Sequence, residues 1–130
     1  MTDPTVPAIP LGLEGRARLT VDEEDTASAF GSGDVPVLAT PRVIALCEEA
    51  TVAAIEGWLR PGQTSVGARV EIDHVRPTAI GKDVIAAAVL DEVAYPRLRF
   101  AVVAIVDGEE VAAGRVTRVV VRRDHFMARM

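Results

Sequence analysis

The sequence predicts an α+β fold in which a curved antiparallel sheet wraps around one long central helix. Three features support this prediction: one long helical segment with clear end signals, four β-branched segments joined by short turns, and late strands too apolar to leave one face in water. The chain has 130 residues, of which 49% are apolar. That is enough for one packed domain and too little for two.

The N-terminal third is predicted to contain little regular structure. Residues 1–14 hold three of the eight prolines and show no periodicity, so we expect an extended arm before a single domain at residues 15–130. Gly15–Val21 can form a short strand. Asp22–Val35 is acidic and rich in small residues, which is typical of a mobile loop or lid.

The central helix is predicted over residues 41–59. Thr40 is suited to cap the first amides, and Pro41 is suited to the first helical position. Pro61-Gly62 provides the stop signal. A helix of this length spans about 28 Å.

Four strands are predicted after the helix. They are Thr64–Val75, Asp83–Val93, Arg97–Val106 and Glu110–Arg123, with turns at Pro77 to Gly81 and at Asp107-Gly108. A curved sheet around one helix in this order is the hotdog architecture, which is usually dimeric. We therefore expect a homodimer or a higher oligomer.

Composition excludes several classes of function. A net charge of −5 argues against binding nucleic acid through bulk electrostatics. The apolar runs are far shorter than the roughly 20 residues of a membrane span, and the N-terminus lacks the features of a signal peptide. One cysteine and two histidines predict neither a disulfide nor a metal site, and no cofactor is expected. The default expectation is a cytoplasmic protein without a membrane or nucleic-acid partner.

Two ionisable residues interrupt apolar faces. On a helical wheel, Glu48 lies between Ile55 and Leu59, whereas Glu49 lies on the polar stripe. A carboxylate there costs several kcal/mol unless it is paired, hydrogen-bonded or protonated. Strand alternation places His74 on the same face as Val70 and Ile72. Glu48 either reaches a water-filled edge, pairs with an arginine of the sheet, or shares a functional pocket with His74.

Other polar and small residues have simpler interpretations. Thr40 is either the helix cap or a hydroxyl aimed at a ligand from the positive end of the helix. Gly67 and Gly81 indicate a bulge and a turn, and Cys47 a small buried residue. A basic C-terminal series is typical of a solvated face, although arginines also grip phosphates such as those of coenzyme A: Arg115, Arg118, Arg122, Arg123 and Arg129.

The segments Thr40–Glu48 and His74–Gly81, with Gly67 between them, resemble the fluoroacetyl-coenzyme A thioesterase-like branch of the hotdog superfamily. The resemblance covers about residues 15–128. It implies a catalytic set of Thr40, Glu48 and His74, and a substrate-facing backbone at Gly67. It further implies that substrate is bound by an acyl-site arginine, Arg118, and by the shared hotdog turn at Gly81.

The resemblance implies hydrolysis of an acyl-coenzyme A thioester, with Glu48 as base or nucleophile. His74 would move the proton, Thr40 would orient water or the carboxylate, and the helix start with the Gly67 N–H would face the carbonyl oxygen. A phenylalanine-rich lid precedes the threonine in the fluoroacetyl-specific enzyme, but Gly31–Val37 contains no aromatic residue. We therefore expect a broader short-acyl specificity.

Two other functions fit the same fold. One is an enoyl-coenzyme A hydratase or dehydratase, whose site resembles an Asp/His pair at a spacing different from that of Thr40, Glu48 and His74. The other is a non-catalytic module that binds acyl-coenzyme A or another small ligand, and it does not require Glu48 on an apolar face.

Overall fold

A computed structural model describes residues 3–130, so Met1 and Thr2 of the predicted arm lie outside the described residues. One antiparallel five-stranded sheet has the order β1-β3-β4-β5-β2. Its strands are β1 (Glu14–Thr20), β2 (Gln63–His74), β3 (Asp83–Ala94), β4 (Arg97–Val106) and β5 (Glu109–Arg122). The helices are α1 (Ala27–Phe30), α2 (Thr40–Ala54) and α3 (Arg123–Ala128), with a 3₁₀ turn at Glu23–Asp25. The predicted hotdog fold is confirmed.

The central helix α2 is shorter than predicted: it ends at Ala54 and not at residue 59. Gly57 has a φ of +83°, a left-handed conformation that glycine adopts without steric cost, and Trp58 N donates to Ile55 O across the resulting turn. The stop signal is thus Gly57 rather than Pro61-Gly62. Ile55 and Leu59 belong to the loop that follows, so they do not flank Glu48 on a helix face.

The core lies between α2 and the concave face of the sheet. The buried side chains of α2 recur at helical spacing: Val43, Leu46, Cys47, Ala50, Thr51 and Ala54. They pack against alternate residues of β3, β4 and β5, among them Leu90, Phe100 and Val116, all fully buried. Burial of this apolar surface drives the sheet to wrap around the helix.

The segment predicted as a mobile loop contains short helical turns. Asp22 caps the 3₁₀ turn, Thr26 caps α1, and isolated bridges join Thr26 to Leu38 and Val37 to Ala79. The Arg42 Nε donates to Asp25 Oδ1 at 3.1 Å, which ties this segment to α2. The segment therefore rests against the start of α2.

Strand β2 forms one edge of the sheet and pairs only with β5 among residues 3–130. Its register shifts between Gly67 and Arg69, so Ala68 is the extra residue of a bulge. Side chains alternate along a strand, so the extra residue reverses the alternation. Odd-numbered residues face the helix before the bulge, and even-numbered residues face it afterwards. Gly67 and His74 consequently both lie on the inner face although one number is odd and the other even.

Helix α3 was not predicted from the sequence. It follows β5 directly and carries His125 on an exposed surface. Between Asp3 and Met130, no helix combines the length and hydropathy that crossing a bilayer requires.

Candidate active site

A hydrogen bond joins the start of α2 to the end of β2. The Thr40 Oγ1 and His74 Nδ1 atoms are 2.8 Å apart. The interpretation of Thr40 as a helix cap is wrong: Ala39 occupies the cap position, and no side chain caps this end of the helix. The Thr40 hydroxyl instead forms a hydrogen bond with the imidazole of His74. We call Thr40 and His74 the histidine pair.

The second ring nitrogen of His74 is unsatisfied. Nε2 is buried and has no hydrogen-bond partner within residues 3–130. Burial lowers the pKa of His74 below its ordinary value of 6.5, and a hydrogen bond with the backbone of Arg76 opposes this shift only in part. The ring is therefore neutral at neutral pH, with one buried nitrogen that has no hydrogen-bond partner among the described residues.

A cavity of about 260 Å³ adjoins the histidine pair. Its walls are mostly small and apolar, and they come from the segment before α2 and the turn after β2: Ala27, Ser32, Val37, Leu38, Thr40, His74, Val75, Arg76 and Pro77. The volume is below the roughly 300–1,000 Å³ typical of pockets for drug-sized ligands. This space suits a small ligand group better than a long chain.

The carboxylate of Glu48 pairs with an arginine of the sheet. Glu48 Oε2 lies 3.6 Å from Arg118 Nη1, and the side chains are 34% and 8% exposed respectively. Burial lowers the pKa of Arg118 below its ordinary value, while the nearby Glu48 carboxylate opposes that change. Of the three alternatives for Glu48, pairing with an arginine of the sheet is the one that the single chain displays.

Gly67 provides the space that Glu48 occupies. A Cβ built on Gly67 would overlap with Glu48 Oε2 and would lie 3.8 Å from Arg118 Nη1. Gly67 is directly opposite Arg118 in the β2–β5 register. We call Glu48, Gly67 and Arg118 the carboxylate cluster.

Within one chain the histidine pair and the carboxylate cluster are separate. No hydrogen bond or ion pair in the described part of the chain joins Glu48 to Thr40 or His74. Glu48 is eight residues beyond Thr40, about 12 Å along the helix, and His74 is seven residues beyond Gly67, about 20 Å along the strand. The expectation that Glu48 and His74 share one cavity is therefore not met inside a single subunit.

A second cavity, of about 650 Å³, lies at the far end of α2. It runs from Glu49 and Val52 through the loop at Pro61 to Ser65, and none of Thr40, Glu48 or His74 lines it. The larger cavity is thus not the one that holds the predicted catalytic residues.

The remaining predicted residues lie apart from these two groups. Gly81 occupies a turn with a φ of +92°, and its N–H donates a hydrogen bond to Val21 O. Cys47 is fully buried, and burial raises the pKa of its thiol to about 11, so it stays protonated.

The basic C-terminal series does not form one solvated face. Arg118 points inward, whereas Arg115 pairs with Asp91 and Arg122 with Asp124 at the surface. An inward arginine was detectable in the sequence, because Val116, Arg118 and Val120 alternate along β5.

Sequence reasoning missed Ser65. Arg118 Nε donates to Ser65 Oγ at 2.8 Å, and Arg118 Nη2 donates to Ser65 O at 3.1 Å. A serine in a strand with mixed polar residues carries no signal of its own, and its inward orientation depends on the bulge at Ala68.

Comparisons with known proteins agree with this architecture. The family model for FlK, described as a fluoroacetyl-CoA-specific thioesterase, matches residues 21–124. The fluoroacetyl-CoA thioesterase of Streptantibioticus cattleyicolor is 32% identical over 94 residues, which are 72% of this chain and 68% of that protein.

Solved structures give the same result. A structure of the fluoroacetyl-CoA thioesterase FlK superposes with a TM-score of 0.86 at 26% identity, covering 94% of this chain and 95% of that one. A thioesterase superfamily member from Thermus thermophilus has a TM-score of 0.86 at 27% identity, covering 92% and 89%. The chain therefore belongs to the family of fluoroacetyl-CoA-specific thioesterases, and it is an acyl-CoA thioesterase with the hotdog fold.

Proposed function

We propose that the protein hydrolyses short acyl-CoA thioesters at a site built from Thr40, Glu48 and His74. The observation that carries this proposal is the hydrogen bond between Thr40 Oγ1 and His74 Nδ1, which leaves the buried Nε2 unpartnered beside a small cavity. A neutral imidazole in that position can accept or deliver a proton at a bound thioester.

Glu48 supplies the negative charge in this reaction. As a general base, it removes a proton from water while the water oxygen attacks the carbonyl carbon; the C–S bond then breaks, and the coenzyme A thiolate takes up a proton. As a nucleophile, its carboxylate attacks the carbonyl carbon and expels the coenzyme A thiolate, which takes up a proton; water then cleaves the resulting mixed anhydride and regenerates Glu48. Incorporation of ¹⁸O from water into Glu48 over repeated turnovers would support the anhydride route.

The site is proposed to be completed by a second copy of the chain. Strand β2 is an edge strand of twelve residues that carries both Gly67 and His74, and an unpaired edge of this length is a template for another strand. Antiparallel pairing of β2 with the partner's β2 about a two-fold axis near the middle of the strand brings the His74 end of one copy beside the Gly67 end of the other. This register brings the histidine pair of one subunit to the carboxylate cluster of the other.

Mixing two inactive variants tests this shared site. Glu48→Gln and His74→Gln homodimers are each expected to be inactive. After subunit exchange at equal amounts, half of the dimers are mixed and each has one intact site, so about a quarter of wild-type activity should return. Glu48→Gln mixed with Glu48→Ala is the matched control, and no activity should return. If the mixture of Glu48→Gln and His74→Gln shows no activity after subunit exchange has been verified, the site lies inside one subunit.

The acyl group is proposed to be short and not restricted to fluoroacetate. The segment that borders the cavity contributes Ser32 and Val37, and the nearby Phe30 is 47% exposed at the end of α1. No ring from Gly31–Val37 can therefore close on the acyl group.

We propose a cytoplasmic location for the enzyme, because its one cysteine is a buried free thiol.

Thiol release from a panel of acyl-CoA esters tests the substrate class. We expect turnover of acetyl, propionyl and fluoroacetyl esters with kcat/KM values within about 200-fold of each other, since a methylene or a small substituent changes binding by about 1–3 kcal/mol. Binding without thiol release from any ester would favour the non-catalytic module, and hydration of an enoyl ester would favour the lyase. A preference for fluoroacetyl-CoA of a thousandfold or more would overturn the broad specificity.

A further inference from the structure

We propose that Ser65 is a positioning residue that fixes Arg118 against the Glu48 carboxylate. This inference rests on the proposed role of Glu48 and extends the site by one residue. Ser65 accepts both hydrogen bonds that the Arg118 guanidinium donates within residues 3–130, one at its hydroxyl and one at its carbonyl.

The burial of Arg118 makes these two bonds important. Its side chain is only 8% exposed, and a guanidinium taken out of water is costly unless its N–H groups find acceptors. Glu48 Oε2, at 3.6 Å from Nη1, is near enough for charge attraction but beyond an ordinary hydrogen bond. Ser65 therefore determines where the planar guanidinium lies, and Glu48 responds to that position.

The strand geometry explains why residue 65 has this role. Ser65 and Gly67 are two residues apart on β2, before the bulge, so both face the helix. Arg118 lies opposite Gly67 on the neighbouring strand, and its guanidinium donates a hydrogen bond to Ser65 on one side. On its other side it meets Glu48, whose carboxylate lies over Gly67.

A double-mutant cycle tests the inference. In Ser65→Ala, kcat should fall about tenfold, which corresponds to about 1.4 kcal/mol, with KM changed less than twofold. Ser65→Thr keeps the hydroxyl and should restore most of kcat. In an Arg118→Lys background, which lacks the Nε and Nη2 donors, Ser65→Ala should lower kcat less than twofold further, because Ser65 acts only through Arg118.

Thr117→Val is the matched control. It removes a hydroxyl from the residue next to Arg118 on the outer face of β5, and kcat should stay at the wild-type value. Additive losses in the cycle, or a wild-type kcat for Ser65→Ala, would overturn the role of Ser65 while leaving the thioesterase proposal intact.

The Arg118 Nε–H resonance gives a readout that does not depend on turnover. It should exchange slowly with solvent in the wild-type protein, be identified by its loss in Arg118→Lys, and exchange rapidly in Ser65→Ala. An unchanged resonance in Ser65→Ala would contradict the proposal even if no ester in the panel were hydrolysed.

Discussion

The histidine pair and the carboxylate cluster are held by different physical means. Thr40 and His74 are neutral groups joined by one hydrogen bond, in surroundings that lower the pKa of the imidazole. Glu48 and Arg118 are opposite charges, and the arginine is nearly buried. Because the carboxylate and imidazole are not in contact within a chain, each has its own environment there, and the proposed dimer would bring the two together.

The comparison shows which substitutions should affect chemistry and which should affect stability. Glu48→Gln removes the charge that we propose activates water and should lower kcat at least about a thousandfold. It also leaves the buried Arg118 without a counter-charge, so we expect a slightly lower melting temperature. Thiol release and thermal unfolding measure the two effects separately.

Glu49→Gln is the control for this change. Glu49 is the next residue on α2, is exposed, and lies 3.7 Å from Arg42, a weak surface pair. Its kcat and melting temperature should match those of the wild-type protein. Full turnover in Glu48→Gln would remove Glu48 from the mechanism.

A change at Gly67 should disturb the carboxylate cluster and leave the hydrogen bond within the histidine pair intact. The added methyl group of Gly67→Ala would overlap with Glu48 Oε2, so the carboxylate must move, and kcat should fall about 10- to 100-fold. In an NMR spectrum, the signals that report the hydrogen bond between Thr40 and His74 should be retained. Steady-state kinetics and the spectrum together test the prediction.

Gly33→Ala serves as the comparison for Gly67→Ala. Its added Cβ would lie 3.4 Å from Ala27 Cβ, an ordinary contact, and its activity should be close to wild type. Equal losses in the two variants would show that the effect at Gly67 is not displacement of Glu48.

The sequence predicted the histidine pair and the carboxylate cluster unequally well. The fold, the strands and the inward orientation of His74 follow from apolar periodicity and turn residues, which depend on local sequence. The contact between Thr40 and His74 does not follow from local sequence. Threonine before a helix is predicted to cap it, but here the Thr40 hydroxyl forms a long-range hydrogen bond with His74 instead. The helix end was misplaced because Gly57 was passed over in favour of Pro61-Gly62.

The carboxylate cluster depends on features that a single strand pattern cannot provide. Arg118 is brought opposite Gly67, about fifty residues earlier in the chain, by pairing between β2 and β5. The bulge at Ala68 then sets the faces of Ser65 and Gly67 relative to His74. Register and bulge position are tertiary properties, so the contact of Ser65 with Arg118 did not follow from local reasoning; only the inward orientation of Arg118 had a local signal, the alternation along β5.

The smallest expected effect concerns the stability of the histidine pair. Because burial lowers the pKa of His74 below 6.5, the unfolded chain binds a proton at a higher pH than the folded protein does. The free energy of unfolding should therefore fall as the pH drops through about 6.5, and level off below the folded pKa. Urea unfolding at fixed protein concentration and about pH 7.5 and 5.5 should show this loss in wild type and in His125→Gln, and a smaller loss in His74→Gln. An equal loss in all three would mean that His74 does not contribute to the pH dependence of folding.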